Sequence, residues 1–139
     1  MDPLLAAIRV SQKGMAAQST RMRVVAENLA NANVTGASAG SDPYARKTIS
    51  FESQVDEAAG ADIVAVSEIG RHNAPFRTQH DPGHPAADER GFVKLPNVDP
   101  VVELADMREA MRSYQANIQM IKNARESISM AIDLLRSGT

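Results

Sequence analysis

No cysteine and no tryptophan occur among the 139 residues, and aromatics amount to 4%: Tyr44, Phe51, Phe76, Phe92 and Tyr114. The missing cysteine excludes disulfides, thiolate chemistry and Cys-ligated metal, and is compatible with either redox compartment. Because aromatic side chains dominate core energetics, their scarcity predicts a thin core of Ala, Val, Ile and Met. Neither sign of charge is in large excess, with 15 Lys and Arg against 17 Asp and Glu. No block of like charge stands out, so the electrostatic footprint of a nucleic-acid binder is missing. No run approaches the ~20 apolar residues of a membrane span, so no transmembrane segment is expected. The start has no basic n-region and only a short apolar run, Leu4 to Ile8. It does not read as a secretory signal peptide, and a protein of this kind leaves the cytoplasm only if another machine carries it.

What the chain has instead is helical periodicity at both ends. From Leu104, apolar residues recur at alternating steps of three and four: Leu104, Met107, Met111, Tyr114, Ile118 and Ile121, then Ile128, Ile132 and Leu135, with Arg125 interrupting. That spacing predicts a straight seam at the period of left-handed helix pairing. Beside it, Ala110, Asn117, Ala124 and Ala131 fall at heptad spacing, where a neighbouring backbone can approach closely. Asp99 is a natural cap, Pro100 suits the first helical position, and Gly138 can end the helix. Glu103, Asp106 and Glu109 near the start and Arg136 in the last turn suit the helix dipole. At a rise of about 1.5 Å per residue the helix is on the order of 50 Å long, more than a domain of this size needs for its own core.

Asp2 and Pro3 repeat the same start. From Leu4 to about Asn33 a second long helix is expected, with Ile8, Met15, Met22 and Leu29 at heptad spacing and more polar companion positions. Gly14 is expected to weaken its middle by about 1 kcal/mol. The basic excess of Arg9, Lys13, Arg21 and Arg23 over Asp2 and Glu27 fits a solvated face, or contact with an acidic neighbour. Asn28, Asn31 and Asn33 fit either a hydrogen-bonding cluster at an interface or an ordinary helix end, where Asn and Gly36 can supply a left-handed cap. Residues 36 to 43 read as a loop. Lys47 to Val55 alternates, with Ile49, Phe51 and Val55 on one side, and reads as a strand. Ile63 to Ile69 and Gly91 to Leu95 are further strands, and Pro75 to Gln79 is a weaker one.

The expected fold is therefore mainly α: long N- and C-terminal helices forming a coiled-coil-like pair, with a small β-rich insertion of short strands and long loops. In domain terms, 1–35 is the N-terminal helix, 36–97 the loop and β element, and 98–139 the C-terminal helix. Long isolated helix pairs need further partners, so the chain reads as a subunit of an assembly.

Chemistry has few candidates. His80, Asp81, His84, Asp88 and Glu89 lie close together, but Pro82, Gly83 and Pro85 forbid the helix that would bring both imidazoles to one face. No metal site is expected there. Glu103 with Asp106 reads as an acidic first turn serving dipole and solubility. No nucleophile elbow, phosphate-cradling loop or Ser/His/Asp set is visible, so no catalytic residue, cofactor or small-molecule substrate is expected.

Four blocks of sequence nevertheless carry a resemblance. Met22 to Asn33, containing Ala26-Glu27-Asn28-Leu29-Ala30-Asn31, resembles the N-terminal signature of the bacterial flagellar rod and hook axial protein family. Asp42-Pro43-Tyr44-Ala45-Arg46-Lys47-Thr48, then Asp81 to Val93 with Leu95-Pro96-Asn97-Val98, narrow the resemblance to its proximal rod members. Met107 to Asn117 is similar to that family's C-terminal block. The resemblance implies a non-enzymatic axial subunit, exported by the flagellar type III system and polymerised in the periplasm to transmit torque. It implies that the terminal helices line a tube with the β element outside. Implied partners are other copies of the chain, other rod proteins, and the membrane ring and export apparatus at the rod base. The assembly interface expected from the seams comprises Ile8, Met15, Met22, Leu29, Asn28 and Asn31 with Leu104, Met107, Met111, Tyr114, Ile118, Ile121, Ile128, Ile132 and Leu135. The residues alone leave two other functions open, a cytoplasmic helical adaptor and a His/Asp metal-dependent hydrolase. A compact, protease-resistant helical monomer would favour the first and a stoichiometric metal the second.

Overall fold

Asp2 opens the first helix by two bonds: its Oδ1 accepts from the Leu4 N–H at 2.7 Å, and its carbonyl accepts from Ala6 N–H at 3.0 Å. The computed structural model describes residues 2–138, so Met1 and Thr139, the outermost residues of the two expected helical segments, lie outside the description. Helix α1 spans Pro3–Ala30. Its end departs from the expected left-handed cap, because positive φ occurs only at Gly40, Gly60 and Gly91 among the described residues. The last carbonyls are met instead by a tightened turn, Ala32 N–H to Leu29 O at 3.3 Å, and by the Asn31 amide returning to Glu27 O at 2.7 Å. That side-chain bond gives the Glu27 carbonyl a second donor beside Asn31 N–H at 3.1 Å, without any residue entering the left-handed region.

Strands β1 (Lys47–Asp56) and β2 (Ala61–Arg71) pair as a two-stranded antiparallel sheet. Their turn is written in the sequence. Asp56 Oδ1 accepts from the N–H groups of Ala58 and Ala59, both at 3.0 Å, and Gly60 supplies a φ of 64°. The face marked by alternation is left open: Phe51 is exposed, and Val55 is 73% exposed. Strands β3 (Arg77–His80) and β4 (Phe92–Leu95) form a second antiparallel pair, with Arg77 opposite Leu95 and His80 opposite Phe92. Helix α2 spans Pro100–Ser137, opened by Asp99 Oδ1 accepting from Val101 N–H at 2.9 Å. The two helices and the short strands between them are the architecture that the periodicity predicts.

The chain divides into two compact units. Unit 1 comprises Met1–Arg21, Ser50–Ser67 and Glu109–Thr139, and unit 2 comprises Met22–Ile49 and Glu68–Arg108. In unit 1 the buried side chains are small except for Ile63: Ser11, Ala17, Ala59, Ala110 and Ala124. Here Gly14 has a role that propensity alone does not reveal. A Cβ on Gly14 would stand 2.9 Å from Nδ2 of Asn117, so α1 and α2 approach through the glycine. The small-residue stripe Ala110-Asn117-Ala124, not the large apolar seam beside it, is the line of closest packing in this unit. Unit 2 buries Val24, Val25, Val93 and Val98 with Ala32 and Ala86. A buried Val contributes about 1.5–3 kcal/mol and one methyl group about 0.8 kcal/mol. The four valines therefore give unit 2 the stronger apolar support, and its polar interior adds to it.

Candidate assembly surface and the buried clasp beside it

The polar interior of unit 2 centres on Asn28, which α1 presents fully buried. Its Oδ1 accepts from the Tyr44 hydroxyl and from Lys47 N–H, both at 2.8 Å. Its Nδ2 donates to Lys47 O at 2.9 Å and to Glu103 Oε2 at 3.1 Å. Two acceptor and two donor positions are thus filled, the full capacity of an amide side chain. By binding both the N–H and the C=O of Lys47, Asn28 treats that residue as a strand partner would. Glu103, on the first turns of α2, is 0% exposed, and its other oxygen takes the Arg46 guanidinium through Nε.

The same segment is held from its far side. Asn97 Oδ1 accepts from Arg46 N–H at 2.8 Å, while its Nδ2 donates to the carbonyls of His72 at 3.1 Å and Ala74 at 3.0 Å. His72 N–H donates to Arg46 O at 2.8 Å, and Arg71 donates to Ala45 O at 2.7 Å while its guanidinium lies 5.1 Å from the Tyr44 ring centre. Lys47 pairs with Glu27, which also accepts from Arg23 at 2.9 Å. We call this network the clasp. It joins Ala26–Asn31, Asp42–Thr48 and Leu95–Val98, three blocks that look unrelated along the chain. Glu103 is the residue sequence reasoning placed wrongly: it is a buried ion-pair partner, not an acidic surface turn. A carboxylate in the first turn of a helix carries no signal of burial; only Arg46, 57 positions away, explains it.

Three carboxylates are held below their ordinary range. Glu27, ordinarily 4.5, is lowered first by the hydrogen bond from Lys47, with Arg23 adding to it. Asp56, ordinarily 3.8, is lowered first by Arg9, whose Nε stands 2.8 Å from it, and then by the turn N–H groups. Asp88, also ordinarily 3.8, is lowered first by the N–H of Phe92 and then by that of Arg90. A carboxylate whose folded pKa is depressed contributes stability that is complete above its unfolded value and is lost as pH falls through the folded value. Thermal midpoints followed by circular dichroism should therefore be flat near neutrality and fall below about pH 4. Asp56→Asn should flatten part of that fall, and a midpoint that rises on acidification would contradict these assignments.

The His80–Glu89 cluster is a turn. His84 Nδ1 accepts from Ala86 N–H at 3.0 Å, and Asp88 Oδ1 accepts from Arg90 and Phe92 N–H groups, both at 2.9 Å. Gly91 closes it with a φ of 78°, and His80 packs edge-on against Phe92 with ring centres 5.0 Å apart. Among the described residues, no group of three or more His, Cys, Asp or Glu side chains gathers as a metal site. Nor is any helix among them long and apolar enough to cross a membrane.

The residues expected at an assembly interface fall into three classes. On α1, Ile8, Met15, Met22 and Leu29 are half-buried and Asn28 is the clasp hub, and Asn31 in the turn that follows is half-buried too. On α2, Met107, Tyr114, Ile118, Ile121 and Ile128 are half-buried within their units. Leu104, Met111, Ile132 and Leu135 are exposed, Ile132 by 50% and Leu135 by 77%. From Ser129 to Ser137 every residue of α2 is exposed, with Met130 and Leu134 among them. Large apolar side chains are thus concentrated on the exposed end of this helix.

Comparison with known proteins gives the family. Residues 8–37 match the flagella basal body rod protein family, and residues 89–134 match the C-terminal family of the flagellar basal body rod FlgEFG proteins. The chain is 49% identical over 138 residues to the flagellar basal-body rod protein FlgC of Agrobacterium fabrum, covering 99% of each. It is 40% identical over 134 residues to that of Salmonella typhimurium, covering 94% of this chain and 97% of the relative. The FlgC protein of Borreliella burgdorferi is 31% identical over 151 aligned positions, spanning 96% of this chain and 98% of its own. Similarity that holds along almost the whole length of each relative, with the family's two terminal segments matched in order, establishes that this chain belongs to the FlgC family of flagellar basal-body rod proteins, a structural and not an enzymatic family.

Proposed function

We propose that this rod-family subunit is built into the proximal rod through its terminal helices, after export by the flagellar type III system, and transmits torque there. The observation that carries this reading is the exposed apolar end of α2, Met130 to Leu135, for which the chain itself supplies no cover. A helix with apolar residues on several sides is stable in water only when other helices pack on it. The covering partners are other copies of the chain and other rod proteins, with the membrane ring and the export apparatus at the base. Export of an unfolded chain fits the thin core of unit 1, which is lost and regained at small cost. The subunit works in the rod where it crosses the periplasm.

The test is a chain shortened after Ile128, which removes the uncovered part of α2 and leaves every clasp residue. Cells producing it should export the shortened chain and yet yield basal bodies without a rod beyond the ring, by electron microscopy, and should not swim. A complete rod built from the shortened chain would overturn the reading.

A further inference from the structure

We propose that the pocket beside the His80–Glu89 turn is a socket for one lysine or arginine side chain of a second copy of this chain. The pairing of β3 with β4 builds its floor. Gln79 lies opposite Val93 and Arg77 opposite Leu95, and residues directly opposite share a face. Val93 and Leu95 therefore stand on the Gln79 side, while the rings of His80 and Phe92 meet on the other face. Val93 is buried and Leu95 half-buried. Over this aliphatic floor Asn33 and Thr35, from the segment after α1, join Gln79, Asp81 and His84 in lining a cavity of about 200 Å³. His84 Nδ1 accepts from Ala86 N–H at 3.0 Å, so the proton of the neutral ring lies on Nε2. The side chains of Asn33, Thr35, Gln79 and Asp81 make no hydrogen bond or ion pair among the described residues.

Size and charge choose the guest. Sites for small molecules run to roughly 300–1,000 Å³, so a space of about 200 Å³ suits a single long side chain better than a free ligand. Asp81 is the only carboxylate lining it, which sets the site against anions. Lysine and arginine lay an aliphatic stem on apolar surface and keep the charged head at the edge. The cavity presents the same division, with Val93 and Leu95 below and the exposed Asp81, Gln79 and Asn33 at the rim. Arg9, Arg23, Arg46, Lys47 and Lys94 are each paired with an acid of their own chain. By contrast, Arg90, Arg108, Arg112, Lys122 and Arg125 are exposed and make no ion pair among the described residues. A neighbouring copy therefore brings unpaired cations to a rim whose carboxylate is also unpaired, and complementary charges of this kind fix register between partners. The guest rests on the rod reading, because it arrives with a second subunit; the cavity and its chemistry do not.

The experiment replaces the chain in motile cells with full-length variants and scores basal bodies by electron microscopy and swimming in soft agar. Asp81→Lys should be exported and should keep the thermal midpoint of the free chain, since its carboxylate holds no internal partner, yet it should yield no rod. Two cations brought to one contact cost more than the original pair gains. Asp81→Asn, which keeps the shape and removes the charge, should build rods in reduced number. Glu89→Lys, on the same turn but outside the cavity, should build normal rods. Asp81→Lys is then combined in turn with Arg90→Glu, Arg108→Glu, Arg112→Glu, Lys122→Glu or Arg125→Glu, and the combination that reverses the true pair should restore rods. Normal rods with Asp81→Lys, an equal loss with Glu89→Lys, a lowered midpoint of the free Asp81→Lys chain, or no restoration by any of the five would each overturn the socket and leave the rod reading standing. Normal rods in cells lacking the chain altogether would overturn the rod reading, and the guest with it.

Discussion

Glu103→Ala is expected to cost about 3–5 kcal/mol of folding stability, the size measured when one partner of a buried ion pair is removed. The carboxylate is 0% exposed and satisfies two donors on two other segments, the Arg46 guanidinium and the Asn28 amide. Alanine leaves the guanidinium without its counter-charge and Asn28 with an unused N–H, and it opens a void where the side chain lay. A domain of ordinary size has about 5–15 kcal/mol in total, so the variant should be partly unfolded at physiological temperature. Glu103→Gln preserves the shape and should cost less, about 1.5–3 kcal/mol, the range for hydrogen bonds to charged groups. Glu109→Ala, exposed on the same helix, should shift stability by less than about 0.5 kcal/mol. Urea unfolding followed by far-ultraviolet circular dichroism distinguishes the three, since the chain has no tryptophan to report by fluorescence. Equal midpoints for Glu103→Ala and Glu109→Ala would mean that the clasp contributes nothing.

Ile132→Asp is expected to abolish rod assembly while leaving the free subunit intact. Ile132 is 50% exposed in the chain by itself, so a carboxylate there remains hydrated and disturbs no packing until a neighbour arrives. On assembly the same position would lose an apolar side chain worth about 1.5–3 kcal/mol of burial and acquire a charge whose desolvation adds to the penalty. Every copy carries the change, so the loss recurs at each added subunit. Ala116→Asp is the control, being exposed on the opposite side of α2 from the Leu104-Met111-Ile118-Ile132 row. Its assembly should be close to normal. The measurements are circular dichroism of the free chain, detection of the exported chain, and electron microscopy of isolated basal bodies. Rods of normal length with Ile132→Asp would show that the exposed end of α2 is not a packing face.

The sequence by itself determined the elements. Both helices begin where an aspartate precedes a proline, because a side-chain oxygen satisfies the first free N–H groups and proline has none to satisfy. The four strands lie within a few residues of the apolar runs that announce them, since their turns use local chemistry: Asp56 and Gly60 in one, Asp88 and Gly91 in the other. Family membership was legible for a similar reason, as short contiguous blocks such as Ala26–Asn31 can be read in a single chain. Even the close-packed stripe of Ala110, Asn117 and Ala124 was visible as heptad spacing.

Only the tertiary structure decided which of these residues act together. Periodicity gives a face and not its neighbour, so it could not tell that the alanine stripe is covered within the chain while Ile132 and Leu135 are left outside. Propensity counts Gly14 as a weakness, and only the position of Asn117 turns it into the point of approach. Hydrogen bonds between distant segments leave no periodic trace. Glu103 therefore looked like a surface acid of a helix start until Arg46 and Asn28 were found around it, and the burial of that one carboxylate is a property of three segments meeting, not of any one of them.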